Sequence, residues 1–180
     1  EKYVDFTNCS LSRLIIEADR TYIGSINSIP HVTVSGETRQ FEIYANIETL
    51  YINTDVNTTM YGVGDIETLY KNSYKDVFFN TDSHVKLMIV DNSNGWIDLG
   101  DYFYADKVII PPNTMPNDVF IDFTNDNDKI GDLEDSNGND VDRNPIENTI
   151  IPDWEAPTAE IKDINVEGSS MTATIKSSED

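Results

Sequence analysis

Hydrophobic and polar residues alternate with a period of two along much of the chain, as in strands with one face in a core. Phe41, Ile43, Ala45 and Ile47 alternate with Glu42, Tyr44 and Asn46. Val85, Leu87 and Ile89 alternate with His84, Lys86 and Met88, and Val119, Ile121 and Phe123 with Phe120 and Asp122. Shorter runs at 14–18, 31–34, 50–52, 77–79 and 108–110 are rich in residues that suit a pleated surface. Ser35-Gly36-Glu37, Asp91-Asn92-Ser93-Asn94-Gly95 and Pro111-Pro112-Asn113 supply turns between them. The Asn94-Gly95 step, set between Ile89-Val90 and Trp96-Ile97, predicts a hairpin. One segment departs from alternation: Ile66, Leu69 and Tyr70 recur at helical spacing behind a potential N-cap, Asp65. The pattern therefore predicts an all-β domain over residues 1–150. The expected form is an antiparallel β-sandwich, immunoglobulin-like or jelly-roll, with one short helix.

Charge narrows the function. Of 180 residues, 33 are Asp or Glu and 12 are Lys or Arg, a net charge of −21. A surface this acidic repels nucleic acid and anionic lipid, whose recognition needs clustered cations. No apolar run approaches the roughly 20 residues that cross a bilayer. The chain opens at Glu1 without Met or signal peptide, as in a mature, processed or excised polypeptide. Cys9 is the only cysteine, which excludes an internal disulfide and a Cys-rich zinc site. Asn8-Cys9-Ser10 and Asn57-Thr58-Thr59 match the N-glycosylation triplet and fit a secreted location.

Composition shifts near residue 150. Residues 151–158, with Pro152 and Pro157, read as a stiff linker, because proline restricts its own φ and the residue before it. Two more strand-like runs follow, Ala159–Val166 and Met171–Ile175, with Gly168-Ser169-Ser170 between them. The alternation of the first slips at Lys162-Asp163, as at a bulge. The sequence Glu155-Ala156-Pro157-Thr158, a strand, a Gly/Ser turn and then Met171-Thr172-Ala173-Thr174-Ile175 resembles the opening of tandem immunoglobulin-like domains of bacterial and archaeal surface proteins. The resemblance implies a modular extracellular protein with an adhesive or scaffolding role. A two-stranded segment at 159–180 is marginal alone. It is expected to be the start of a further domain, a pair of strands donated to a neighbouring copy, or a flap on its parent.

The densest chemistry is the acidic stretch 118–142. Asp122, Asp126, Asp128, Asp132, Asp135, Asn137, Asp140 and Asp142 are oxygen donors of the kind Ca²⁺ takes, and Gly131 and Gly138 allow sharp turns. No register fits the helix-loop-helix calcium pattern: from Asp126 the fifth position is Ile130, and from Asp135 the sixth is Asp140. A solvated acidic loop is the competing explanation.

No nucleotide, redox or nucleophile motif is present, and the expectation is a protein that is not an enzyme. His31 and His84 sit in strand-like runs, and Gly62-Val63-Gly64 lacks the remainder of a phosphate loop. The residues point first to a calcium-stabilised structural or adhesive module of a prokaryotic cell surface, in an S-layer, filament or adhesin. Its partners would be copies of itself or neighbouring modules, engaged through 159–180. The alternative is a carbohydrate-binding module of a secreted polysaccharide-degrading enzyme, with Trp96, Tyr102 and Tyr104 as a stacking surface for sugar rings.

Overall fold

The computed structural model describes residues 2–6, 10–25 and 27–143 (backbone alone at 2, 3 and 5), together with the backbone of 159–167 and 170–177. Asn8, Cys9 and the proline-containing segment 151–158 lie outside these residues. Contacts divide the chain into two compact units, Glu1–Pro145 and Ile146–Asp180.

The first unit is a β-solenoid. Strands are numbered in chain order. One sheet, sheet A, holds β1 (Lys2–Asp5), β3 (Thr21–Gly24), β5 (Gln40–Tyr44), β7 (Thr58–Val63), β9 (Val77–Asp82) and β11 (Ile97–Leu99), in that spatial order. The other, sheet B, holds β2 (Leu14–Ile16), β4 (Ile29–Gly36), β6 (Ile47–Thr54), β8 (Ile66–Lys71), β10 (His84–Val90), β12 (Tyr104–Ile110) and β13 (Ile130–Asp135). Every pairing in both sheets is parallel. The expected antiparallel sandwich is therefore wrong, whether immunoglobulin-like or jelly-roll. The chain winds through one strand of each sheet per coil and stacks each coil on the last.

Sheet B shows how the sequence encodes the coil. Its strands bend at a pair of outward residues, so inward positions are spaced three and then two apart: Ile29, Val32, Val34; Ile47, Leu50, Ile52; Val85, Met88, Val90; Ala105, Val108, Ile110. Stacked coils bring like positions into register, as in Val32–Leu50–Leu69–Met88–Val108–Leu133. Ile29, Ile47, Ile66, Val85 and Ala105 are register equivalents, so successive coils take 18, 19, 19 and 20 residues. Sheet A closes the same core with Phe41, Met60, Phe79 and Leu99 in one inward row.

The bend also explains a second correction. Ile66 and Leu69, three apart and both inward, imitate helical spacing, yet 66–71 is strand β8. Likewise Val85 faces the core as expected, but Leu87 and Ile89 face outward while Met88 faces the core, which inverts the alternation expected for 87–89. Asn94-Gly95 makes a corner between the sheets and not a hairpin, since β10 and β11 belong to different sheets. At that corner Gly95 has φ 72°, and a Cβ there would lie 2.3 Å from the Lys75 carbonyl oxygen, so only glycine fits.

The last coil is capped. Residues 119–123, expected as a strand, instead run from the end of one short helical turn, α1 (Pro116–Val119), to the start of another, α2 (Phe123–Asp126), which a 3-10 turn at Asn127–Lys129 follows. Pro116 favours this start because its φ suits the first helical turn and its missing N–H is not required there. Phe120 forms a parallel bridge to Ile97, and the Ile121 amide donates to the Ile97 carbonyl at 2.9 Å. This bonding covers part of the exposed edge of β11, a standard need of stacked repeats. No helix among the described residues is long and apolar enough to cross a membrane.

In the second unit, β14 (Ala159–Glu167) and β15 (Ser170–Ser177) form an antiparallel pair. Its register shifts between Lys162 and Asn165, beside the slip at Lys162-Asp163.

Candidate functional site: a cleft on the outer face of sheet A

The acidic stretch does not form one ligand-bearing loop. Asp122 precedes α2 and accepts from the Asn125 amide at 2.7 Å. Asp126 is buried and bonded to the Lys129 ammonium at 2.7 Å. Asp128 and Asp132 are exposed, on the 3-10 turn and on β13. Asp135 ends β13, where its carboxylate accepts from the backbone amides of Asn137 and Asn139, both at 2.9 Å, and from the Asn139 side chain. Those bonds hold its pKa below the usual carboxylate value, the Asn139 side chain contributing most. Asp140 bridges back to Glu134, and Asp142 is exposed. Much of the stretch is thus the capping coil of the solenoid, with Ile130 and Leu133 in the core. Among the described residues, no group of three or more His, Cys, Asp or Glu side chains is placed to hold a metal ion.

The aromatic candidates are also separated. Trp96 is 47% exposed and Tyr102 76%, flanking β11 on either side in sequence. Tyr104 opens β12 in sheet B, its ring tilted 5.7 Å from that of His84. Phe103, between them, is core, 4.7 Å from Phe79. Of the two histidines, His31 is exposed on β4, and exposed His84 hydrogen-bonds Asp106 at 2.7 Å. Asn57 is exposed, with its amide bonded to both the backbone and the carboxylate of Asp76 on the next coil.

A cleft of about 360 Å³ opens where sheet A narrows. β9 continues to Asp82, but its neighbour β11 ends at Leu99, and the chain turns away through Gly100. Beyond Phe79 the edge of β9 that faces away from β7 therefore has no strand beside it. Thr59, Phe78 and Asp98 are register partners on β7, β9 and β11 and form one outward row of the cleft. Phe79, Asn80, Gly100 and Asp101 line the rest. Gly100 is needed for the turn: its amide donates to the Phe79 carbonyl at 2.9 Å, and a Cβ there would lie 2.2 Å from that oxygen.

The electrostatics of the cleft are negative. Partial burial raises the pKa of Asp98 above the ordinary value, and Asp126, Asp101 and Asp122 push it in the same direction. Lys129 opposes them while donating to the Leu99 carbonyl at 2.6 Å, which ties the cap to β11. A raised carboxyl pKa means the folded state binds more protons than the unfolded one above the unfolded pKa, so stability falls as pH rises through the folded value. Asp98→Asn is expected to raise the melting temperature at pH 7 by on the order of 2 °C. The gain should vanish near pH 2, well below the ordinary carboxyl value of 3.8, where the wild-type side chain is protonated in both states; differential scanning calorimetry at the two pH values checks this.

The pattern of alternation did not identify Thr59, Phe78, Asn80 or Asp98 as a group, because they meet only through coil stacking. The nearest sequence signal is the group of aromatics Trp96, Tyr102 and Tyr104. Comparison with known proteins finds no match to this chain among family models, curated proteins or solved structures.

Proposed function

We propose that this protein is an extracellular structural or adhesive module of a prokaryotic surface assembly, with the stacked coils as a stiff scaffold and the 151–180 segment as the connection to a neighbouring module. The observation that carries this reading is the uninterrupted parallel ladder of coils, closed by a dedicated cap. Each coil bears on its neighbours through inward apolar rows and backbone bonds, an arrangement that resists bending and presents long, regular outer faces. The net charge of −21 suits a hydrated surface and disfavours polyanionic partners. The proposal does not rest on calcium, since Asp126 is bound by Lys129 and Asp135 by the turn at 137–139.

Immunogold labelling of intact source cells tests the location. Labelling without permeabilisation, removed by brief external proteolysis, supports the reading. Labelling that appears only after lysis overturns it.

A further inference from the structure

We propose that the cleft beside β11 binds a neutral, hydroxyl-rich saccharide, which gives the adhesive reading above a ligand class and a binding site.

The site combines the two kinds of group that a sugar ring uses. The half-buried ring of Phe78 lines the cleft and offers an apolar face to the C–H side of a pyranose. Around it stand Asp98, Asp101, Asn80 and Thr59. Carboxylates accept bonds from hydroxyls, and a charged partner strengthens each bond. An amide and a threonine hydroxyl both donate and accept, as a ring of alternating hydroxyls requires. The volume of about 360 Å³ falls within the range of about 300–1,000 Å³ typical of small-ligand sites.

Charge selects within the class. Asp98 and Asp101 both line the cleft, and with Asp122 nearby they outweigh Lys129, which is taken up by Asp126, so an added uronate, sulfate or phosphate would be repelled. Exposed Trp96 alternates with inward Ile97 and so shares the outer face of Asp98, next to the cleft strand. The cleft sits where a strand stops short, so its floor is rigid sheet and binding needs little reorganisation.

The test is isothermal titration calorimetry of the full chain with neutral gluco-, manno- and chito-hexasaccharides, and with a galacturonate hexamer as the charged comparison. At least one neutral oligomer is expected to bind with Kd below about 1 mM. Asp101→Ala and Asp98→Asn should each weaken it about tenfold while leaving the cooperative thermal transition intact. Phe78→Leu, which keeps the strand packed but removes the ring, should weaken it similarly. The site is overturned by absence of binding at about 10 mM of every neutral oligomer. It is also overturned by binding that the variants leave unchanged, or by preference for the galacturonate. Surface labelling with no sugar binding would remove the cleft proposal and leave the surface location standing.

Discussion

Deleting one whole coil, residues 47–65, is expected to leave a folded protein, whereas deleting half of one, residues 47–55, should abolish cooperative folding. The whole-coil deletion joins Asn46 to Ile66, which occupies the register position of Ile47. Val32 then meets Leu69, and Phe41 meets Phe79, in the same inward rows as before. One coil of stacking is lost. At roughly 0.05–0.15 kcal/mol per residue this is about 1–3 kcal/mol. The half-coil deletion instead feeds β7 into the place of β6. Thr58 and Met60, inward at a spacing of two, would have to fill positions built for Ile47, Leu50 and Ile52. Polar side chains then enter the core and no alternative register repairs it. Thermal unfolding followed by far-UV circular dichroism distinguishes the two: a sigmoidal transition for the whole-coil variant, and a featureless slope for the other.

The second large effect is expected at Lys71. It occupies the inward row that runs from Ile16 through Val34 and Ile52 to Val90 and Ile110, where every other member is aliphatic. It is fully buried, and its ammonium donates to the Asn94 and Gly95 carbonyls at 2.5 and 2.9 Å, pinning the corner that leads into β11. Burial lowers its pKa to about 8, with Asp76 acting in the opposite direction. Lys71→Ala removes both the packed stem and the two bonds, at an expected cost of about 3–5 kcal/mol. Lys71→Met keeps most of the stem, so its cost should be about 1–3 kcal/mol, from carbonyls left unpaired. The pH dependence separates charge from packing. Between the folded pKa near 8 and the unfolded value of 10.5, the unfolded state holds more protons, so wild-type stability rises with pH. Lys71→Met lacks that contribution, and chemical denaturation at pH 7 and pH 10 should show the wild type gaining on it.

The all-β character, most strand positions and several turns were legible in the sequence, because outward and inward residues really do alternate within sheet A. Phe41 and Ile43 face the core as the pattern indicates. What alternation alone could not convey was the partner of each strand. Parallel stacking is recorded at a longer range, in the recurrence of Ile29-x-x-Val32-x-Val34 and Ile47-x-x-Leu50-x-Ile52 one coil apart, and of Val85-x-x-Met88-x-Val90 two coils further on. Lys71 disguises one copy of that motif by standing where an aliphatic residue is expected. The same longer range conceals the cleft, whose Thr59, Phe78 and Asp98 are neighbours only across coils. The acidic stretch is dense in sequence, but a helical turn, a 3-10 turn and strand β13 distribute its carboxylates around the cap, an arrangement that residue spacing alone does not convey.

The coil register is open to a direct distance measurement. In a Cys9→Ser background, spin labels placed at Thr33 and Ile109, and at Thr33 and Glu134, lie in one outward row that passes through Tyr51, Tyr70 and Ile89. Those pairs are four and five strands apart, so pulsed dipolar spectroscopy should give backbone separations of about 19 and 24 Å, one strand spacing of about 4.8 Å between them. Separations that fail to increase by that step, or that place Glu134 nearer to Thr33 than Ile109, would contradict the stacked parallel coil.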